Sequence, residues 1–219
     1  MSVIVNPRGT SGSGKTELVR RILALYERDG GRERLYRERR ARPICYRLRH
    51  PLGGRPLVVL GHYEVTSGGC DTIGGLNEVF RLAGEHASNG HDVLFEGLMV
   101  SGEHQRSARL ARTHGLHVLR LSTPLEQCVR NVVARRRARR AVRPLISRIT
   151  AAHHESIEDA CATLQRCASL EVVDFDHALA RALELLGWAT RDRDGGAGAR
   201  PAARAAYPGL LGRPKSSST

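Results

Sequence analysis

Lysine is almost absent from this chain of 219 residues, in which Lys15 and Lys215 stand against 33 arginines. A GC-rich genome explains the general skew. An ammonium kept at position 15 is a different matter, because a compact point charge and a planar guanidinium fork are not interchangeable at a tight phosphate site. No stretch approaches the roughly 20 consecutive apolar residues that span a bilayer, and the first residues, Met1-Ser2-Val3-Ile4-Val5-Asn6, lack the charged start and apolar run of a secretory leader. The expected location is cytoplasmic, with no membrane partner. The cysteines (Cys45, Cys70, Cys128, Cys161 and Cys167) are odd in number, scattered and without a C-x-x-C pair, which excludes a disulfide framework or a zinc site of the usual spacing. They read as reduced thiols, mostly buried. Aromatic residues make up only 4% of the chain, which argues against an extended base-stacking platform. Acids are also missing where bases gather: residues 127–154 contain no Asp or Glu and eight arginines.

What is present begins with a net charge of +13, which favours a polyanionic partner through steering and counterion release. Short apolar runs alternate with helical periodicity. Residues 2–6 read as a strand ended by Pro7, and Leu18, Ile22 and Leu25 mark a helix after a glycine-rich stretch. Residues 27–42 read as an exposed, charged helix end and loop. Residues 44–49 and 57–62 suit two strands of a hairpin, 76–88 a helix stopped at Asn89-Gly90, 92–96 a strand closing on Glu96, and 116–121 a further strand. Thr123-Pro124-Leu125-Glu126 has the signature of a helix start with Thr123 as N-cap. That helix is expected to run into the arginines at 135–140. Another helix follows Pro144, then a short strand near 170–173 and a final helix ending near Trp188. The pattern predicts a three-layer α/β domain over 1–188 with a mainly parallel sheet, and a disordered basic Ala/Gly/Pro/Ser tail over 189–219.

Gly9-Thr10-Ser11-Gly12-Ser13-Gly14-Lys15-Thr16 matches G-x-x-x-x-G-K-[ST] between a strand and a helix, the context that a phosphate-binding loop requires. Such a loop turns its N–H groups inward around a phosphate, with Lys15 on the outer phosphates and Thr16 on Mg²⁺. Glu96, at the end of a neighbouring strand, is a second candidate for the metal, or a general base. Asp71-Thr72-Ile73-Gly74 resembles a GTPase switch, yet no N-K-x-D sequence accompanies it. A compact ATP-dependent kinase remains, of the nucleotide-kinase-like P-loop class, with an arginine-rich helical lid at about 128–148. Arg130 and Arg136 are first choices for the phosphoryl oxygens in flight. The acceptor side falls in 61–73: Asp71 as the base toward a hydroxyl, Glu64 as its alternative, and His62 and Tyr63 as contacts to the acceptor.

Taken together, Arg8-Gly9-Thr10-Ser11-Gly12-Ser13-Gly14-Lys15-Thr16, Gly61-His62-Tyr63-Glu64, Gly68-Gly69-Cys70-Asp71-Thr72-Ile73 and Phe95-Glu96-Gly97-Leu98 resemble the bacteriophage 5-hydroxymethyluracil DNA kinases. The resemblance covers roughly residues 2–188. It implies ATP at residues 9–16, a catalytic or acceptor role for the loop holding Asp71, and DNA containing a modified pyrimidine as substrate, in thymine hypermodification. A small-molecule kinase on the same architecture and a nucleotide-gated DNA-binding protein are the alternatives. Nothing in the sequence implies an obligate protein partner or an oligomeric state.

Overall fold

The computed structural model describes residues 1–65, 68–97 and 103–188; the expected tail at 189–219 and the motif residue Leu98 lie outside the described residues. Seven strands form one sheet: β1 (Val3–Arg8), β2 (Arg32–Leu35), β3 (Cys45–Leu48), β4 (Leu57–Leu60), β5 (Asp92–Leu94), β6 (Gly115–Leu121) and β7 (Ser169–Val173). Their spatial order is β2-β3-β4-β5-β1-β6-β7. The pairs β4/β5, β5/β1, β1/β6 and β6/β7 are parallel, while β3 pairs antiparallel with both β2 and β4. The helices are α1 (Lys15–Gly30), α2 (Leu76–Ser88), α3 (Glu103–Thr113), α4 (Leu125–Arg136), α5 (Arg143–Leu164) and α6 (Phe175–Leu185).

Both faces of the sheet are covered, and the strand sequences show it. Successive side chains of a strand point to opposite faces, so an apolar run feeds two cores. Ile4, Val58, Leu60, Val93 and Phe95 join the core under α2, α3 and α5. Their neighbours Val5, Leu57, Val59 and Leu94 join the core under α1 and α6, with Leu18, Val19, Ile22, Ala178 and Ala182. This is the three-layer, mainly parallel α/β sandwich of the P-loop kinases. Among the described residues no helix is long and apolar enough to cross a membrane.

Several local expectations change. β1 does not end at Pro7 but continues to Arg8, because a Pro7 N–H is not needed there and the Pro7 carbonyl still accepts from Gly97 N at 2.9 Å. Within the charged segment 27–42, Arg32-Glu33-Arg34-Leu35 forms the edge strand β2. Its charges are paired across the ladder or onto the neighbouring loop, Glu33 with Arg47 and Arg34 with Glu64, which suits an edge exposed to water. Thr123 does not cap α4: the helix starts at Leu125 after Pro124, and the Thr123 hydroxyl donates instead to the Ser13 carbonyl at 2.9 Å. α4 stops at Arg136, where Arg137 takes a left-handed conformation at φ 47°. The arginine-rich segment is thus the end of α4, a short 3₁₀ turn at Arg140–Val142 and the start of α5.

A charged group is buried where β1 meets α3. Arg8 is only 2% exposed, and its guanidinium forks onto Glu103 at 3.1 and 3.3 Å, reaches Ser107 Oγ at 2.8 Å, and donates through Nε to Asn6 Oδ1 at 2.8 Å. Asn6 in turn donates to the Phe95 carbonyl. Removing one member of such a pair strands a buried charge, which costs about 3–5 kcal/mol. Urea denaturation of Glu103→Ala is therefore expected to show a loss of that order, against under about 1 kcal/mol for Glu17→Ala, whose pair with Arg21 is exposed.

Candidate phosphate and acceptor site

The loop between β1 and α1 carries three glycines with positive φ: Gly9 at 155°, Gly12 at 87° and Gly14 at 103°. At Gly12 and Gly14 there is also no space for a side chain. A Cβ on Gly12 would lie 2.3 Å from the Cys128 carbonyl oxygen, and one on Gly14 would lie 2.6 Å from the Phe175 ring. Gly14 also closes the N-terminus of α1, whose first N–H groups face the loop. The Lys15 ammonium is held over the loop by the carbonyls of Gly9 at 2.6 Å and Thr10 at 3.2 Å. Burial lowers its pKa, opposed by the negative charges of Glu96 and Asp71.

Glu96 follows the end of β5 and is buried. Its Oε2 accepts from the Thr16 hydroxyl at 3.2 Å, while Oε1 is buried without a hydrogen-bond partner. Burial raises the Glu96 pKa, against the pull of the Lys15 charge and the Thr16 hydrogen bond. Ser13 Oγ in the loop is a second buried polar atom without a partner. Among the described residues no group of three or more His, Cys, Asp or Glu could hold a metal alone. Thr16 and Glu96 do fit Mg²⁺, which usually takes one or two protein oxygens and completes its shell with phosphate and water.

Residues 68–72 pack beside Glu96. His62 and Gly69 form an isolated antiparallel bridge, and a Cβ on Gly69 would lie 3.3 Å from Glu96 Oε1. Asp71 sits on a 3₁₀ turn (Cys70–Thr72), is exposed, and lies near enough to Lys15 and Glu96 to shift both. Lys15, Thr16, Glu96 and Asp71, chosen from three separated stretches of sequence, are therefore brought together.

The remaining candidates stand differently. His62 and Tyr63 are buried, and the Tyr63 phenol lies beside Glu96 and Cys70. The Tyr46 hydroxyl accepts from Tyr63 N at 3.1 Å and faces His62 Nδ1 at 3.2 Å, so both residues fasten the loop to β3. Burial pushes the Tyr63 phenol and the Cys70 thiol well above their ordinary pKa, leaving Cys70 an inert packing group. Glu64 is held by Arg32 and Arg34, whose hydrogen bonding and charge lower its pKa. Arg130 is occupied by Gln127 on its own helix, and Arg136 is exposed.

The arginine that reaches the loop is Arg135, whose guanidinium donates to Ser11 Oγ at 3.0 Å, beside Asn131, which donates to the Gly12 carbonyl at 2.8 Å. Its signal was available in the sequence. Cys128, Asn131, Val132 and Arg135 recur at the spacing of one helix face, and Cys128 and Val132 are the buried residues of α4.

The close approach at Gly12 is testable without reference to activity. Gly12→Ala adds both left-handed strain and a collision with backbone, whereas Gly53 has φ 76° and open space around it. Thermal denaturation should show Gly53→Ala losing about 1 kcal/mol and Gly12→Ala at least about 1–3 kcal/mol more.

No family model matches the chain. It is 40% identical over 189 residues to the "5-hmdU DNA kinase" of Pseudomonas phage PaMx11, an alignment that covers 83% of this chain and 97% of the phage protein. The chain belongs to the 5-hmdU DNA kinase family.

Proposed function

We propose that the protein transfers the γ-phosphoryl group of ATP to the hydroxymethyl oxygen of 5-hydroxymethyluracil within DNA, in the cytoplasm of an infected host. The observation that carries this reading is the 40% identity to a 5-hmdU DNA kinase along nearly that protein's whole length. The convergence of Lys15, Thr16, Glu96 and Asp71 at one loop supports the chemistry.

Phosphoryl transfer asks the protein mainly for positioning and charge stabilisation. The inward N–H groups of residues 9–16 and the N-terminus of α1 hold the phosphates, and the Lys15 ammonium exchanges loop carbonyls for phosphate oxygens. Thr16 and Glu96 hold Mg²⁺, which neutralises phosphate charge when bound. Asp71 faces the acceptor, because it is exposed beside a buried Glu96 whose Oε2 already takes the Thr16 hydroxyl. The acceptor oxygen forms a bond to the γ-phosphorus as the bond to the β–γ bridging oxygen breaks. The hydroxyl proton passes to the Asp71 carboxylate, and ADP leaves. Arg135 neutralises charge on the transferred group, and α4, which carries it, serves as the arginine-bearing lid over the loop.

Labelled γ-phosphate offered with ATP should enter DNA containing 5-hydroxymethyluracil and not unmodified DNA, the free nucleoside or common nucleotides; label in a small molecule, or in none, would refute the reading. In the same assay Arg135→Ala is expected to lower kcat by about 10²-fold or more, the scale of losing a transition-state charge. Arg130→Ala and Arg136→Ala should each stay within about threefold, since neither reaches the loop. Equal losses at all three positions would remove Arg135 from the transition state.

A further inference from the structure

Among the described residues seven large hydrophobics are exposed, and three of them, Val142 at 44%, Leu145 at 46% and Ile149 at 42%, fall at the end of the 3₁₀ turn before α5 and in the first two turns of α5. Their spacing of three and four residues places them on one helical side. That side borders the stripe of Ile146, Thr150, Ile157, Cys161 and Leu164, which α5 buries against the fold. At the start of α5, Ile146 and Thr150 are thus buried while Val142, Leu145 and Ile149 on the adjoining side are bare.

The surroundings of the bare end are cationic. Arg136, Arg139, Arg140, Arg143 and Arg148 are all exposed, and no ion pair involves them among the described residues. Residues 127–154 supply no acid of their own. Both ends of the segment are tied to the phosphate loop. At one end Arg135 donates to Ser11 Oγ at 3.0 Å, and at the other the Thr150 carbonyl accepts from Thr10 Oγ1 at 3.3 Å. The three apolar side chains thus project from a short arch standing over the loop that would hold the donor phosphates.

A solvated basic helix has no use for three bare aliphatic side chains. A protein that works on a base in duplex DNA has, because the base must leave the stack and the gap must be filled. Apolar side chains inserted between base steps, flanked by cations on the phosphates, are a known physical solution to bending and unstacking DNA. The scarcity of aromatics, 4% of the chain, leaves aliphatic groups to fill the gap.

We propose that Val142, Leu145 and Ile149 form an apolar wedge that enters duplex DNA beside the target base, while Arg139, Arg140 and Arg143 hold the flanking phosphates. The occupant is duplex DNA, chosen by charge complementarity, and the proposal rests on the DNA kinase reading above. The wedge acts on access to the base and not on the transfer step.

The test compares wild type with the double variant Leu145→Ala/Ile149→Ala on one sequence carrying 5-hydroxymethyluracil, presented as a single strand, as a paired duplex, and as a duplex with the target base mismatched. The wedge predicts that the variant loses about tenfold or more in kcat/KM on the paired duplex, keeps its single-strand activity within about twofold, and regains activity when the target is mismatched. Retained single-strand activity also shows that the variant is folded. Leu145→Met, which keeps apolar bulk, should retain the wild-type ratio of duplex to single-strand activity. An unchanged ratio in the double variant overturns the wedge, as does a wild-type enzyme that labels only single strands. Sedimentation of both proteins gives the remaining outcome: a dimer lost in the variant with the ratio unchanged assigns the patch to a second copy of the chain. Failure of wild type to label any modified DNA is a distinct result, because it removes the kinase reading on which the wedge depends.

Discussion

The structure is organised around a loop that has no room for a side chain at Gly12 or Gly14. Backbone that wraps a phosphate must present N–H groups inward, and the elements outside it must then come close enough to hold it still. At Gly12 the space a Cβ would take is filled by the Cys128 carbonyl of α4, and at Gly14 by the Phe175 ring of α6. Thr123, freed from capping α4, donates to the Ser13 carbonyl, and Asn131 donates to the Gly12 carbonyl. Two helices and the segment after β6 are thereby set by contact with three loop residues. The same glycines that permit the phosphate geometry also fix where the arginine-bearing helix lies.

Charge inside the molecule is used in two opposed ways. Arg8 and Glu103 are both buried and matched by a fork, with Asn6 and Ser107 taking further hydrogen bonds. This network anchors α3 and the residues just after β5 to β1. Arg8 also explains Gly97, where a Cβ would lie 2.7 Å from Arg8 Cγ. Glu96, one residue earlier, is left open: one oxygen takes Thr16 and the other has no hydrogen-bond partner. A buried carboxylate kept incomplete beside a lysine costs stability, and such departures from full satisfaction concentrate where a ligand completes the set.

How much of this was legible in the sequence depended on whether the signal was local. The phosphate loop, helix 76–88 and the hairpin strands around 51–56 were readable because loop glycines, an Asn-Gly stop and paired apolar runs each act within a few residues. β2 was hidden, since Arg-Glu-Arg-Leu has the composition of a loop and becomes a strand only because Glu33 finds Arg47 on β3 and Arg34 finds Glu64. Thr123 had every mark of an N-cap, and a tertiary acceptor, the Ser13 carbonyl, won its hydroxyl. His62 and Tyr63 were legible as important but not as buried, because Tyr46, their partner, lies on a different strand. Arg135 differs from Arg130 and Arg136 only by helical register, and where α4 begins fixes that register.

The Asp71 side of the site is held as firmly as the phosphate loop, though by other means. Arg20 of α1 donates to the Tyr63 carbonyl at 3.0 Å and to that of Val65, and Arg40 donates to the carbonyls of Thr72 and Ile73 at 2.9 Å each. Guanidinium groups suit this task because a planar fork can serve two carbonyls at once. His62 is bridged to Gly69, and at Gly69 a Cβ would come within 3.3 Å of Glu96 Oε1, so the turn carrying Asp71 is packed closely beside the carboxylate. Arg20 lies five residues after Lys15 on the same helix. One rigid element thus sets both the Lys15 ammonium over the phosphate loop and the segment that leads to Asp71. In a chain that uses arginine almost everywhere, this arrangement separates the two chemistries by residue type: forks hold carbonyls and carboxylates, and a single ammonium is reserved for the phosphate loop.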